Sequence, residues 1–183
     1  SGSSRLSSRN RYVARYLQRE GLATLLFDLL TRDEEEVDNY TMKLRFDISL
    51  LADRLAGATD WLASFREAQN VAVGYFGAST GAAAALIAET RKPDRVQAIV
   101  SRGGRPDLAG QALGQVQAPT LLIVGGNDQQ VIMLNEQALD QLSGVKKLVI
   151  VPGATHLFEE RGALEAVSRL AAQWFREYLI PKK

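Results

Sequence analysis

Three short segments carry residues whose types and spacing point to nucleophilic chemistry. Gly77-Ala78-Ser79-Thr80-Gly81 sets a serine between two glycines. That spacing suits a turn so sharp that the serine oxygen projects from it, because a glycine admits neighbouring backbone where a Cβ would clash. A hydroxyl is a weak nucleophile until a base takes its proton. The chain has a single imidazole to offer, His156, in Pro152-Gly153-Ala154-Thr155-His156. An imidazole acting as base needs an acid to fix its tautomer, and Asp128 closes Gly125-Gly126-Asn127-Asp128. The plain alternative for Asn127-Asp128 is a turn that caps the following helix. Asp107, after Arg105-Pro106, is a second candidate for the acid; Asp128 is favoured because it directly ends an apolar run. With glycine and serine each near 7% of residues, the serine pattern alone arises by chance in roughly one chain of this length in twenty. Its setting must therefore carry the argument.

Composition removes most competing chemistries. The 183 residues include no cysteine, which excludes disulfides, thiolate metal sites and a cysteine nucleophile together. One histidine excludes a metal centre built on two or three imidazoles. Lys plus Arg number 22 against 21 for Asp plus Glu, so a net charge of +1 gives no electrostatic grip on nucleic acid or an anionic membrane. No stretch reaches the roughly eighteen apolar residues of a membrane span. Ser1-Gly2-Ser3-Ser4-Arg5 has no apolar core behind a basic head, so the expected location is cytoplasmic.

The elements that must position these residues follow from hydrophobic period. Residues 9–19 form a helix with Tyr12, Val13, Tyr16 and Leu17 on one face, closed by Gly21. The apolar run 23–30 is expected to be a buried strand, and the acidic run 33–38 a solvated loop. Leu44, Ile48, Leu51, Leu55, Ala58 and Leu62 step by four and three along a long helix. Strands are expected at 71–76, 96–101, 120–124 and 147–151, and helices at 80–92, 131–142 and 164–179. Continuous apolar strands separated by helices imply an α/β fold: a mostly parallel, doubly wound sheet with helices on both faces. Ser79, Asp128 and His156 then all fall in loops at strand carboxyl ends, where such sheets keep their chemistry.

In this order and setting, residues 1–5, 77–81, 125–131 and 153–158 resemble the α/β-hydrolase superfamily, in particular small, lidless serine hydrolases of the dienelactone-hydrolase-like group. The likeness covers essentially the whole chain, as a single domain over residues 1–183 with no cap domain. Dienelactone hydrolases use a cysteine nucleophile, and its absence here favours a serine esterase over dienelactone cleavage. The resemblance also implies oxyanion donors, the backbone N–H groups of Thr80 and of Ser1. It implies three further strands before Ser1, the third of which would fill a slot between 23–30 and 71–76; in the family's terms the N-terminal strands are missing from the chain.

The expected reaction is acyl transfer to water. Ser79 attacks the carbonyl of a small or exposed ester, His156 takes its proton, and Asp128 stabilises the imidazolium. No metal or organic cofactor is required. Arg5 and Arg102, near the oxyanion loop and just past a strand end, are candidates for pairing with a substrate carboxylate. The alternatives are an acyltransferase or perhydrolase on the same triad, or a catalytically silent domain used for binding.

Overall fold

The computed structural model describes residues 4–180. Helix α1 (Ser8–Arg19) starts at Ser7, whose hydroxyl accepts from Asn10 N–H, and stops where Gly21 turns the chain at φ +83°. The run 33–38 is not a loop but part of a helix, α2 (Arg32–Thr41). Thr31 and Glu34 cap each other reciprocally there, so the acidic residues sit at the positive end of the helix dipole. Asp38 within it is buried because its carboxylate accepts from Arg45 Nε at 2.6 Å and Leu44 N–H at 2.7 Å. After a 3₁₀ turn at Leu44–Phe46 comes α3 (Ile48–Ala63), capped by Asp47.

From there strands and helices alternate: β1 (Val73–Ala78), α4 (Thr80–Arg91), β2 (Val96–Arg102), a 3₁₀ stretch kinked at Gly110 (Pro106–Gln115), β3 (Thr120–Gly125), α5 (Gln129–Gln141), β4 (Lys146–Val151) and α6 (Ala163–Tyr178). The sheet is parallel throughout, in the order β1-β2-β3-β4. Side-chain alternation splits the core in two. Tyr75, Ile99 and Leu122 face α3, α4 and the 3₁₀ stretch. Ala98, Val100, Leu121 and Ile123 face α1 and α6. The alanines of α4 (82–85 and 88) are fully buried, which lets that helix lie close both to β1 and β2 and to α3.

One expected strand is not formed. Residues 22–28 have no regular secondary structure and pair with no strand, so the sheet of the described residues has four strands rather than five, and β1 is bonded to β2 alone. A strand exists only through a neighbour's N–H and C=O groups, which an apolar run cannot supply for itself. Leu25 and Leu26 are accordingly exposed, while Leu29 and Leu30 pack on the core. No helix among the described residues is long and apolar enough to cross a membrane.

Candidate active site

The nucleophile candidate sits where strand becomes helix within a single residue. Ser79 joins β1 to α4 at φ +52°, ψ −127°, a conformation that costs a non-glycine residue about 1–3 kcal/mol. Its side chain caps no N–H of the helix it precedes, which leaves the hydroxyl for other work. The two glycines of the motif differ in role. A Cβ on Gly77 would lie 2.4 Å from the Gly81 carbonyl oxygen and 2.6 Å from Ala82 Cα, so the turn requires a glycine there. A Cβ on Gly81 would meet nothing within 4 Å, contrary to the expectation that both glycines relieve crowding. Thr80 is the first residue of α4, and its N–H has no intrahelical acceptor. Ser1, the other expected oxyanion donor, lies outside the described residues.

The candidate acid and the candidate base meet directly. His156 Nδ1 and Asp128 Oδ2 are 2.7 Å apart. Asp128 precedes α5, yet its carboxylate caps nothing; it is committed to the imidazole rather than to the turn. Backbone sets this distance. The loops after β3 and β4 are laced together by Gly126 N–H to Val151 C=O (2.8 Å), Asn127 N–H to Ala154 C=O (2.9 Å) and Asn127 Nδ2 to Gly153 C=O (2.9 Å). Gly125 makes the lacing possible, since a Cβ there would stand 2.5 Å from the Ala154 carbonyl oxygen. Asp107 is engaged elsewhere: Arg105 donates to it twice, from Nε at 2.9 Å and Nη2 at 2.7 Å.

The loop after β2 lies between the two halves. β2 pairs Arg102 with Ala78, the residue before Ser79. Gly103 turns the chain at φ +49°, and a Cβ there would be tight against the His156 loop, 3.1 Å from the His156 carbonyl oxygen. Arg105 N–H donates to the Ser79 carbonyl at 3.1 Å. Sequence pattern gave no reason to single out Gly103, Arg105 or Asn127; glycines at strand ends were the available signal.

The two arginines differ. Arg5 pairs with Asp28 through both its guanidinium and its backbone N–H. Arg102 is 6% exposed, donates from Nη2 to Asn10 Oδ1 at 3.3 Å and packs against the Phe76 ring. Among the described residues no carboxylate pairs with it, and its Nη1 has no partner. Burial, and then the neighbouring Arg9 charge, lower its pKa to about 10, so it remains a cation at neutral pH.

Residues 5–179 match the model of the dienelactone hydrolase family. The chain belongs to that family. A dienelactone hydrolase from Anabaena variabilis ATCC 29413 is 64% identical and superposes with a TM-score of 0.95, over 98% of this chain and 83% of that one. Est1E from Butyrivibrio proteoclasticus, at 15% identity and a TM-score of 0.78, shares the fold. A Mycobacterium tuberculosis protein named "Putative phosphoribosyl transferase" is 58% identical over 179 residues; the match takes in 98% of this chain but 40% of that relative's length. The α/β-hydrolase fold and the dienelactone-hydrolase-like family expected from the sequence are thus both found, and the chain is of a hydrolase family.

Proposed function

We propose that this family member is a serine hydrolase cleaving carboxylic esters of small or exposed substrates through an acyl-enzyme. The observation that carries the reading is the 2.7 Å contact between His156 Nδ1 and Asp128 Oδ2, in loops at the same carboxyl end of the sheet as the elbow that holds Ser79. With Nδ1–H donated to Asp128, the other ring nitrogen is left as the base. Ser79 Oγ attacks the ester carbonyl, its proton passes to His156, and Asp128 stabilises the imidazolium. The imidazolium then protonates the departing alkoxide, which leaves as an alcohol. Water repeats the sequence on the acyl-Ser79 ester, releasing the acid and restoring the hydroxyl. Thr80 N–H would hold the oxyanion, with Ser1 N–H as the second donor that the family resemblance implies; losing one such donor typically costs about 100- to 1,000-fold.

Between elbow and acid the chain has only α4, β2, the 3₁₀ stretch and β3, with no inserted cap. That openness supports small or exposed substrates. The absence of cysteine supports a serine ester over the thioester route. Of the two arginines, Arg102 is the one proposed for a substrate carboxylate, because Arg5 is already paired with Asp28. A charged hydrogen bond is worth about 1.5–3 kcal/mol, so Arg102→Met should lower the preference for p-nitrophenyl hemisuccinate over p-nitrophenyl acetate, as a ratio of kcat/KM, about tenfold. An unchanged ratio removes Arg102 from substrate recognition. The transferase name belongs to relatives of which this chain spans two fifths. Hydrolysis of p-nitrophenyl acetate that disappears in Ser79→Ala supports the esterase reading. Turnover seen only with acetate plus peroxide, or only with an added alcohol as acceptor, replaces it with perhydrolysis or acyl transfer.

A further inference from the structure

Asn135 lies in the middle of α5, fully buried, two helical turns beyond Asp128 on the same helix. An asparagine in a helix interior is costly: its amide competes with the backbone, and burying it forfeits water. This one is used across elements. Its Nδ2 donates to the Gly104 carbonyl at 3.0 Å and to the Val131 carbonyl of its own helix at 2.8 Å, while Oδ1 has no partner. Gly104 is held from its other side as well, since a Cβ there would stand 2.0 Å from Ser101 Oγ and 2.5 Å from Ala82 Cβ. The next residue, Arg105, donates its N–H to the Ser79 carbonyl at 3.1 Å. Gly103, just before, donates its N–H to the Ile123 carbonyl of β3 at 2.7 Å.

These bonds make a continuous path from α5 through the Asn135 amide to the Gly104–Arg105 peptide and on to the backbone of Ser79. The same helix carries Asp128 at its start, and Asp128 carries His156. We infer that Asn135 is a positioning residue that fixes the spacing between Ser79 and the Asp128–His156 pair. The inference rests on the reading of Ser79 as nucleophile. Its physical basis is the strain at Ser79: a side chain at positive φ stays in place only where its surroundings over-determine it. The Arg105 N–H is one such restraint, and Asn135 keeps that N–H where it is. A misplacement of about 1 Å between reacting groups costs about a hundredfold in rate.

The experiment compares Asn135→Ala and Asn135→Leu with the unaltered protein, at a temperature well below each variant's Tm. On p-nitrophenyl acetate kcat should fall by about ten- to a hundredfold with KM within about threefold. The midpoint of the pH–rate profile should not move, because the Asp128–His156 contact is untouched. A kcat that stays at the original level while Tm drops overturns the inference and leaves Asn135 as a core residue. Native-state hydrogen exchange on the unaltered protein supplies an arm that needs no variant. The Arg105 amide should exchange as slowly as the amides of α5 around Asn135; exchange as fast as that of the exposed Gly110 would overturn the tether. Should the unaltered protein prove to have an unreactive Ser79 while the Arg105 amide is protected, the nucleophile reading fails and the tether alone survives. A reactive Ser79 with kcat unchanged in both variants removes this inference alone.

Discussion

Residues 73–180 and residues 4–72 are held together by different means, and the difference separates function from support. In the first region four strands are joined by main-chain ladders, and the loops at their carboxyl ends are tied by backbone N–H and C=O groups to a neighbouring loop or strand. The second region is helices with an irregular, unpaired segment, fastened to the first largely through side chains. Arg91 reaches Asp53, Lys92 reaches Asp60, Arg95 reaches the Gln69 carbonyl, and Thr59 and Tyr75 share a buried hydrogen bond of 2.6 Å. Exposed ion pairs of this sort contribute roughly 0–1 kcal/mol each. Changes in the strand-end loops should therefore remove activity from a folded protein, whereas changes among these side-chain ties should trim stability and leave the chemistry alone.

The sharpest break of that contrast is at the acid. Asp128→Asn should lower kcat about 1,000- to 10,000-fold with little change in Tm, since the histidine loses its tautomer control and the backbone lacing stays. Asp107→Asn should leave kcat within about threefold, because Asp107 serves Arg105. Steady-state kinetics on one ester decides both, and the opposite pattern would move the acid to the loop after β2.

The two motif glycines give a smaller, internal test. Gly77→Ala forces a methyl against the Gly81 carbonyl and the Ala82 backbone, a strain of about 1–3 kcal/mol, and should lower Tm along with activity. Gly81→Ala meets no neighbour and adds helix propensity inside α4, so its stability should match or slightly exceed the original. Thermal denaturation of the pair reads the difference; equal losses would mean that both glycines are needed.

The legibility of the sequence follows the same division. Wherever an element's partner comes from an adjacent strand or helix, period was sufficient: β1 to β4 and α4 to α6 lie within two residues of expectation, with α1 and most of α3 close behind. The run 23–30 failed as a strand because pairing is a property of two segments, and period describes one. The run 33–38 was misread because charge density outweighed a local signal, the Thr31/Glu34 capping pair, that was present. Asp38 was beyond reach, since its burial depends on where Arg45 ends up. At the candidate site, chain order and loop position single out Ser79, Asp128 and His156, and the fold brings the last two into contact. Asn135 and Gly103 went unnoticed because a buried amide in a helix and a glycine in a loop look ordinary until a carbonyl is seen to need them.

The smallest expected effect tests the side-chain-tied region by pH. Arg54, followed by the Thr31 N–H, holds the Glu34 carboxyl down to about 2 from its ordinary 4.5. A carboxyl lowered on folding contributes stability that is fully present above the unfolded value and is lost as pH falls through the folded one. Between about pH 4.5 and 2 the original protein should lose this contribution, and Glu34→Gln, which cannot titrate, should show a shallower decline in Tm across that window. Because the group is only part-buried and open to solvent screening, the difference should be small, and kcat near neutral pH should not change. Parallel Tm curves would show that the pair does no more than decorate the surface.

The central claim is that Ser79 is a nucleophile activated by His156, and a fluorophosphonate probe with peptide mapping tests it most directly. The probe reacts with a serine oxygen only where a base has taken the proton and donors stabilise the developing charge. The account predicts a single adduct, on the peptide carrying Ser79, formed at least about 1,000-fold more slowly in His156→Ala. No adduct on the folded protein, or an adduct at Ser79 formed equally fast without His156, would contradict it.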